Sequence, residues 1–309
     1  MIHITNEKIE QKEQTAITIG NFDGIHKGHI KLIESTIKYA KEKKLKSLVF
    51  SFYPNPREVI KNTNLNYILT REEKKKLIKD LGVDVFVEYP FDKELAIKSP
   101  EYFLNDILKN KLNTKAIFIG ENYRFGNLGK GDCSTILNFG DENGIYVSIE
   151  NLLNISSEKI DSTTIRKYIL SGNVIKANLM LGRSFSLKGV VSIGNQRGRT
   201  LGFPTANIIP NDYKKILPQK GVYITSTFLF DINKIFPSIT NVGHNPTFDD
   251  KSLVIETFIF NFSENIYNQI IEINFFDKIR NEKKFNNIEE LKEQITNDVI
   301  LAKKFHKIY

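Results

Sequence analysis

Cysteine is almost missing. Cys133 is the single one among 309 residues, so no disulfide can close within the chain, and zinc sites built on two or four cysteines are excluded. No apolar run reaches the length of about 18 residues that a spanning helix needs. The opening residues, MIHITNEKIEQKEQ, are too polar for the apolar region of a signal peptide. Internal repeats, low-complexity tracts and a basic tail are also lacking. Basic residues are in excess, with a net charge of +8, but they are not gathered anywhere: 27 basic stand against 23 acidic up to Leu181, and 17 against 13 beyond it. Nucleic-acid binding asks for basic residues concentrated on one face. The dispersed excess therefore points to no nucleic acid, while a mild positive field still favours polyphosphate ligands. The expectation is a cytoplasmic protein with no membrane partner, a monomer or weak homo-oligomer.

What is present suits two domains. The chain is 40% hydrophobic and 26% charged, ordinary for a globular protein, and its length matches two cores of about 150 residues each. The first half alternates short apolar runs, at 16–20, 48–52, 83–87, 116–120 and 145–149, with helix-like stretches at 30–46, 71–81, 100–111 and 134–143. Continuous apolar runs separated by helices read as βαβ units in a doubly wound parallel sheet, the α/β class. Ligands of such sheets bind beyond the carboxyl ends of strands, here just after Gly20, Phe52 and Gly120. From Gly182 the texture changes to strand-like runs at 185–192, 221–230, 254–262 and 270–276. One amphipathic helix over 288–305 follows, with Ile288, Leu291, Ile295, Val299 and Ala302 on one stripe. A small antiparallel barrel with a terminal helix is expected. The boundary is placed between 181 and 182.

In the first half, residues 20–29, GNFDGIHKGH, follow a strand and lead into a helix, so backbone amides and a helix N-terminus can face an anion. Gly20, Gly24 and Gly28 permit close backbone approach. His26 and His29 share one helical face and can both donate to phosphate oxygens. This stretch resembles the nucleotidyltransferases with an HxGH motif, and among them the adenylyltransferase module of bacterial bifunctional riboflavin kinase/FAD synthetases. FYPNPR at 52–57, GENYRFG at 120–126 and IDSTTIR at 160–166 resemble that module's further motifs, in the same order. The resemblance implies a Rossmann-like domain over 1–181 that transfers AMP from ATP to FMN, releasing pyrophosphate. It implies that His26, His29 and Arg166 are catalytic. Gly20, Phe22, Asp23, Gly28, Asn122, Ser162 and Thr163 would bind ATP and its phosphates, and Phe52, Tyr123 and Phe125 would stack on the flavin. Read without the resemblance, those aromatics are core.

In the second half, residues 182–208, GRSFSLKGVVSIGNQRGRTLGFPTANI, hold a glycine-punctuated loop able to fold over phosphates. It is not a Walker A loop, for no G-x-x-x-x-G-K-[ST] occurs. The stretch resembles the riboflavin kinase signature. GVY at 221–223, NVGHNPTF at 241–248 and RNEKKF at 280–285 are similar to later parts of that module. The resemblance implies a six-stranded antiparallel barrel over 182–309 that phosphorylates riboflavin to FMN with ATP, yielding ADP. Gly194, Gly198, Arg199, Gly202 and Pro204 would then bind ATP, Thr205 and Asn207 would bind Mg²⁺, Glu256 would be the catalytic base and Arg280 a flavin contact. On its own, Glu256 reads as an outward residue of an alternating strand, and Arg280 as a surface ion pair with Glu282 or Asp277.

The chain departs from these patterns at Asn21, Asn122, Asp161, Phe258 and Asn268. A carboxylate at Asp161 is unfavourable beside phosphates unless it faces away or binds Mg²⁺. Three alternatives stay open: an enzyme with one decayed activity, a non-catalytic flavin- or RNA-binding regulator on the same scaffold, and another HxGH transferase such as a cytidylyltransferase.

Overall fold

The computed structural model describes residues 1–151, 153–155, 158–194, 198, 202–244 and 253–308. Two compact units emerge, Met1–Ser162 and Thr163–Tyr309.

The first unit is built on six parallel strands: β1 (Ile2–Ile4), β2 (Thr15–Ile19), β3 (Lys46–Tyr53), β4 (Val85–Pro90), β5 (Thr114–Gly120) and β6 (Tyr146–Glu150). Their spatial order is β1-β4-β3-β2-β5-β6. All five residues of β2, TAITI, are buried, as a strand at the centre of a covered parallel sheet requires. Their alternation feeds two cores. Ile17 and Ile19 join Phe50 and Ile117 on one face, and Ala16 joins Val49, Phe86 and Phe118 on the other. The helices are α1 (Lys27–Lys43), α2 (Pro56–Lys61), α3 (Arg71–Asp80), α4 (Lys93–Ala96), α5 (Pro100–Tyr102, continued as a π-helix over Phe103–Lys111) and α6 (Cys133–Asn143). From β2 the chain winds to β3 on one side and later to β5 on the other, so the order reverses at β2. That reversal opens the crevice where doubly wound sheets bind ligands. A small hairpin of β7 (Asn154–Ile155) and β8 (Glu158–Lys159) follows; α7 (Ser162–Leu170) begins at the last residue of the first unit and, with α8 (Val174–Leu181), leads into the second.

In the second unit, β9 (Phe185–Ser192), β10 (Ala206–Pro210), β11 (Gly221–Leu229), β12 (Lys234–His244), β13 (Leu253–Ile259) and β14 (Ile270–Arg280) close into a barrel in the order β10-β13-β12-β11-β14-β9. Inside it, Thr225, Thr227, Ser238, Thr240 and Thr257 are wholly buried and satisfy one another. Thr225 Oγ1 lies 2.8 Å from both Ser238 Oγ and Thr240 Oγ1, and Thr240 bonds Thr257. The alternate residues Val222, Ile224 and Ile239 face outward and pack on Val299 and Ala302 of α9 (Ile288–Phe305). α8 docks on the same barrel, where the Asn178 amide donates to Phe275 O at 2.8 Å and accepts from Phe185 N at 2.6 Å.

The α/β sheet, the barrel and the 288–305 helix match the expectation. Of the barrel strands, β10 and β12 had no sequence signal of their own, and edge strand β1, only three residues long, had none either.

Candidate functional site

In the first unit residues 20–26 form a tight loop between β2 and α1, and residues 27–29 open that helix. Phe22 (φ 48°), Gly24 (φ 88°) and Ile25 (φ 38°) all take left-handed backbone. His26 is the N-cap of α1, and its Nδ1 accepts from His29 N at 3.3 Å. An accepting Nδ1 puts the neutral imidazole's proton on Nε2, which is then a donor. The His26 and His29 rings stack at 3.6 Å, and Phe22 meets His29 edge-on at 5.1 Å. Gly28 leaves the space His26 needs, since a Cβ there would stand 3.2 Å from Nδ1. Gly20 lies under the Phe22 ring in the same way, at 3.3 Å.

Phe22 is fully buried, so only its backbone can meet a phosphate. Asp23 is buried as well: its Oδ1 accepts from Ile68 N at 3.0 Å, and its carbonyl accepts from Ser162 Oγ at 2.7 Å. This carboxylate ties residue 68 to the loop, a structural duty the nucleotide reading had not foreseen. Asn122 is exposed in the turn after β5, beside the strand-order reversal. Phe125 is core, packed on Phe103 at 5.5 Å, whereas Tyr123 stacks on Phe125 at 5.7 Å and keeps partial exposure. Phe52 is half-buried against Phe50, Phe91 and Phe103. On α7, Thr163 is exposed and Arg166 half-buried. Asp161 directly precedes that helix, where a carboxylate favours the N-terminal dipole.

A group the sequence did not disclose lies under this loop. Lys74, 8% exposed, sits on α3 with its Nζ 3.2 Å from both Asn21 O and Ser51 Oγ. Glu88 of β4, side chain fully buried, bonds His3 at 2.9 Å and Arg71 at 2.8 Å and stands 4.0 Å from Lys74. Burial pulls the Lys74 pKa below that of an ordinary lysine, and Glu88 and Asp23 pull it back up. In sequence Lys74 is one of the lysines in REEKKK, and a charged run at helical spacing gives no sign of which member turns inward.

In the second unit a cavity of about 1370 Å³ opens against the outer wall of the barrel. Strand register explains its wall. Ser192 pairs Asn207, Asn207 pairs Glu256, Glu256 pairs Asn241, Asn241 pairs Val222 and Val222 pairs Arg280. Directly paired residues share one face of a sheet, so these six form a ring around the barrel, and all of them line the cavity. Gly194, Gly198 and Thr205 line it too. A Cβ on Gly194 would come within 2.0 Å of Asn207 Nδ2, and one on Gly198 within 3.1 Å of Thr205 Oγ1. Gly202 has φ 88° with open space around it, so backbone conformation is what requires glycine. Pro204 is exposed beside the cavity-lining residues. Arg199, and residues 245–248 of the NVGHNPTF stretch, lie outside the described residues.

Arg280 also lines the cavity, but its ion pair is neither of those expected. Its guanidinium grips Asp298 of α9, with Nε at 2.9 Å and Nη2 at 2.8 Å from Oδ2. Asp298 is 2% exposed and also accepts from Gln294 at 3.0 Å. The partner comes from an element 18 residues away in the chain, which local sequence could not indicate. Phe258 meets Phe203 and Phe260 edge-on, a packing role. Asn268 takes φ 64°, a left-handed turn that asparagine tolerates in place of glycine.

Residues 8–164 match the FAD synthetase family, and residues 181–306 the riboflavin kinase family. The bifunctional riboflavin kinase/FMN adenylyltransferase of Buchnera aphidicola (Schizaphis graminum) is 38% identical over 95% of both chains. The protein of that name from Bacillus subtilis is 35% identical over 96% of this chain and 95% of its own. A solved structure from Streptococcus pneumoniae, described as a macrolide-efflux protein, is 30% identical with a TM-score of 0.90, covering 98% of this chain and 99% of that one. Among the described residues no helix is long and apolar enough to cross a membrane.

Proposed function

The chain belongs to the bifunctional riboflavin kinase/FMN adenylyltransferase family, and from that premise we propose which of its residues perform each reaction. It phosphorylates riboflavin to FMN with ATP, and it transfers AMP from ATP to FMN, giving FAD and pyrophosphate. The catalytic modules divide between residues 181 and 182.

For the kinase, the reading rests on one observation: Asn207 and Glu256 stand opposite each other on the wall of the barrel cavity. The Glu256 carboxylate accepts the proton of the ribityl 5′-hydroxyl as that oxygen attacks the γ-phosphorus, and ADP leaves. Gly194, Gly198 and Gly202, with Arg199 and Pro204, form the loop that receives the phosphates. Thr205 and Asn207 fit a divalent cation. Both offer neutral oxygens, and the glycines behind them leave a cradle that any Cβ would fill. When bound, Mg²⁺ would neutralise phosphate charge there. Arg280, held by Asp298 and donating from Nη1 to Asn281 O at 3.1 Å, lines the cavity and is the flavin contact of this reading.

Adenylyl transfer needs alignment and charge neutralisation more than a nucleophilic side chain. An FMN phosphate oxygen attacks the α-phosphorus, and the bond to pyrophosphate breaks. His26 and His29 donate to the triphosphate, together with the backbone of Gly20, Phe22 and Gly28. Ser162, Thr163 and Arg166 take the β and γ phosphates at the start of α7. Asn122 is a polar contact to the nucleotide, and Tyr123 and Phe52 form the flavin's stacking surface. Asp23 supports the loop from behind.

We also propose a cytoplasmic enzyme, monomeric or weakly self-associating, with no nucleic-acid or membrane partner. Its dispersed charge and its nucleotide substrates support this. Incubating the chain with riboflavin, ATP and Mg²⁺ and separating the flavins tests the whole assignment. FMN followed by FAD is the expected sequence, and FMN with no FAD would leave a kinase alone.

A further inference from the structure

Every hydrogen bond that ties Lys74 to the 20–29 loop converges on one peptide. Its Nζ donates to Asn21 O and to Ser51 Oγ, both at 3.2 Å, and Ser51 Oγ in turn donates to Asn21 O at 3.3 Å. A buried ammonium is costly unless paired and hydrogen-bonded. Here Glu88 supplies the opposite charge at 4.0 Å, and β3 and the loop supply the acceptors.

In a planar trans peptide the C=O and N–H point in opposite directions. Holding Asn21 O against Lys74 and Ser51 therefore turns the Phe22 N–H to the other side, and among the described residues that N–H meets no acceptor. The backbone that follows is under strain. Phe22 and Ile25, both non-glycine, sit at φ 48° and 38°, each costing about 1–2 kcal/mol. Such conformations persist where the surroundings over-determine them. The surroundings here are the Lys74–Ser51 clamp at Asn21, the Asp23 bonds to Ile68 N and from Ser162 Oγ, and the wholly buried Phe22 ring. His26 follows at once as the cap of α1.

We propose that Lys74, acting with Ser51, is a positioning residue of adenylyl transfer: the two fix the Asn21–Phe22 peptide so that its N–H is presented to the nucleotide phosphates alongside His26 and His29. The inference rests on the adenylyltransferase reading of the first unit and adds the device that sets its phosphate loop.

The test uses the full chain, measuring FMN-to-FAD conversion with ATP and Mg²⁺ by chromatography. Lys74→Met keeps length and packing but removes the donor. Its kcat should fall about 10²-fold, while KM for FMN stays within about threefold. Ser51→Ala should lower kcat by about three- to tenfold, and the double variant should be no worse than Lys74→Met, because both groups act on one carbonyl. Riboflavin phosphorylation by the same preparations should stay within about twofold of the parent chain. A kcat for Lys74→Met within about threefold of the parent, a proportional rise in KM for FMN, or losses that multiply in the double variant would each overturn the proposal. Should Lys74→Met lose its cooperative thermal transition, Ser51→Ala decides: a lower kcat at unchanged KM supports the clamp, and an unchanged kcat refutes it. A parent chain that makes FMN but never FAD would instead remove the adenylyltransferase reading, an outcome distinct from all of these.

Discussion

Gly194 shows how little room the barrel cavity has beside its proposed cation ligands. Its α-carbon backs onto Asn207 so closely that a methyl group would overlap the side-chain amide, 2.0 Å from Nδ2 and 2.4 Å from Cγ. Gly194→Ala should therefore displace Asn207 rather than merely stiffen a loop. The expected result is a loss of about tenfold or more in kcat/KM for riboflavin phosphorylation, with FMN-to-FAD conversion unaffected. An alanine variant with parent kinase rates would show that Asn207 is not placed by this contact. At this scale the motif positions were legible in the sequence, whereas their partners were not. Arg280 finds Asp298, Asp23 finds Ile68 N, and Lys74 finds Asn21 O, each across a chain separation that no local pattern encodes.

Among the elements, α1 and α9 end in different ways. α1 ends at Lys44 in a left-handed conformation, φ 55°, with its N–H bonded to the helix's last carbonyls. Glycine adopts that conformation without a Cβ penalty, so Lys44→Gly should stabilise the first unit by about 0.5–1 kcal/mol, read as a higher denaturant midpoint at unchanged slope. α9 ends at His306, whose Nε2 donates to Thr225 O at 2.9 Å across 81 residues of chain. Burial holds the His306 pKa below that of an ordinary histidine, opposed by this bond. The unfolded chain then takes up the proton first as pH falls. The contribution is full above the ordinary value of about 6.5 and is lost as pH drops from there through the lower folded-state value. Thermal midpoints of the barrel transition between about pH 7.5 and about pH 5 should fall less steeply for His306→Gln than for the parent, since glutamine donates without titrating. Identical slopes would count against this role. The 288–305 stripe marked α9 in sequence because each turn repeats the burial; β10 escaped because ANIIP is only five residues long with adjacent isoleucines on opposite faces, and β12 because a strand alternating toward a hydroxyl-lined interior lacks the apolar period.

For the molecule as a whole, the residues proposed for the two reactions do not overlap. A Glu256→Gln chain should make no FMN yet still convert added FMN to FAD. A His29→Ala chain should make FMN and stop there. Mixed together, the two should convert riboflavin to FAD, because FMN released by one can bind the other. Failure of the mixture, with each variant retaining its single reaction, would mean that FMN does not pass through solution. Equal damage to both reactions by either substitution would end the assignment of separate sites.

Alternating apolar runs and helical stretches were enough to announce a parallel sheet followed by a barrel, since side-chain periodicity directly reflects which face is buried. The glycine and histidine spacings, and PTAN at 204–207, likewise pointed to where phosphate is proposed to approach, because close backbone approach and helix N-termini leave a local trace. The ring that joins Ser192, Asn207, Glu256, Asn241, Val222 and Arg280 became visible only in the folded chain. So did the inward turn of one lysine from a charged run to clamp a loop 53 residues away. Register and burial of a single charge are set by strand pairing and by the pairing of buried groups over long separations, and neither leaves a mark on neighbouring residues.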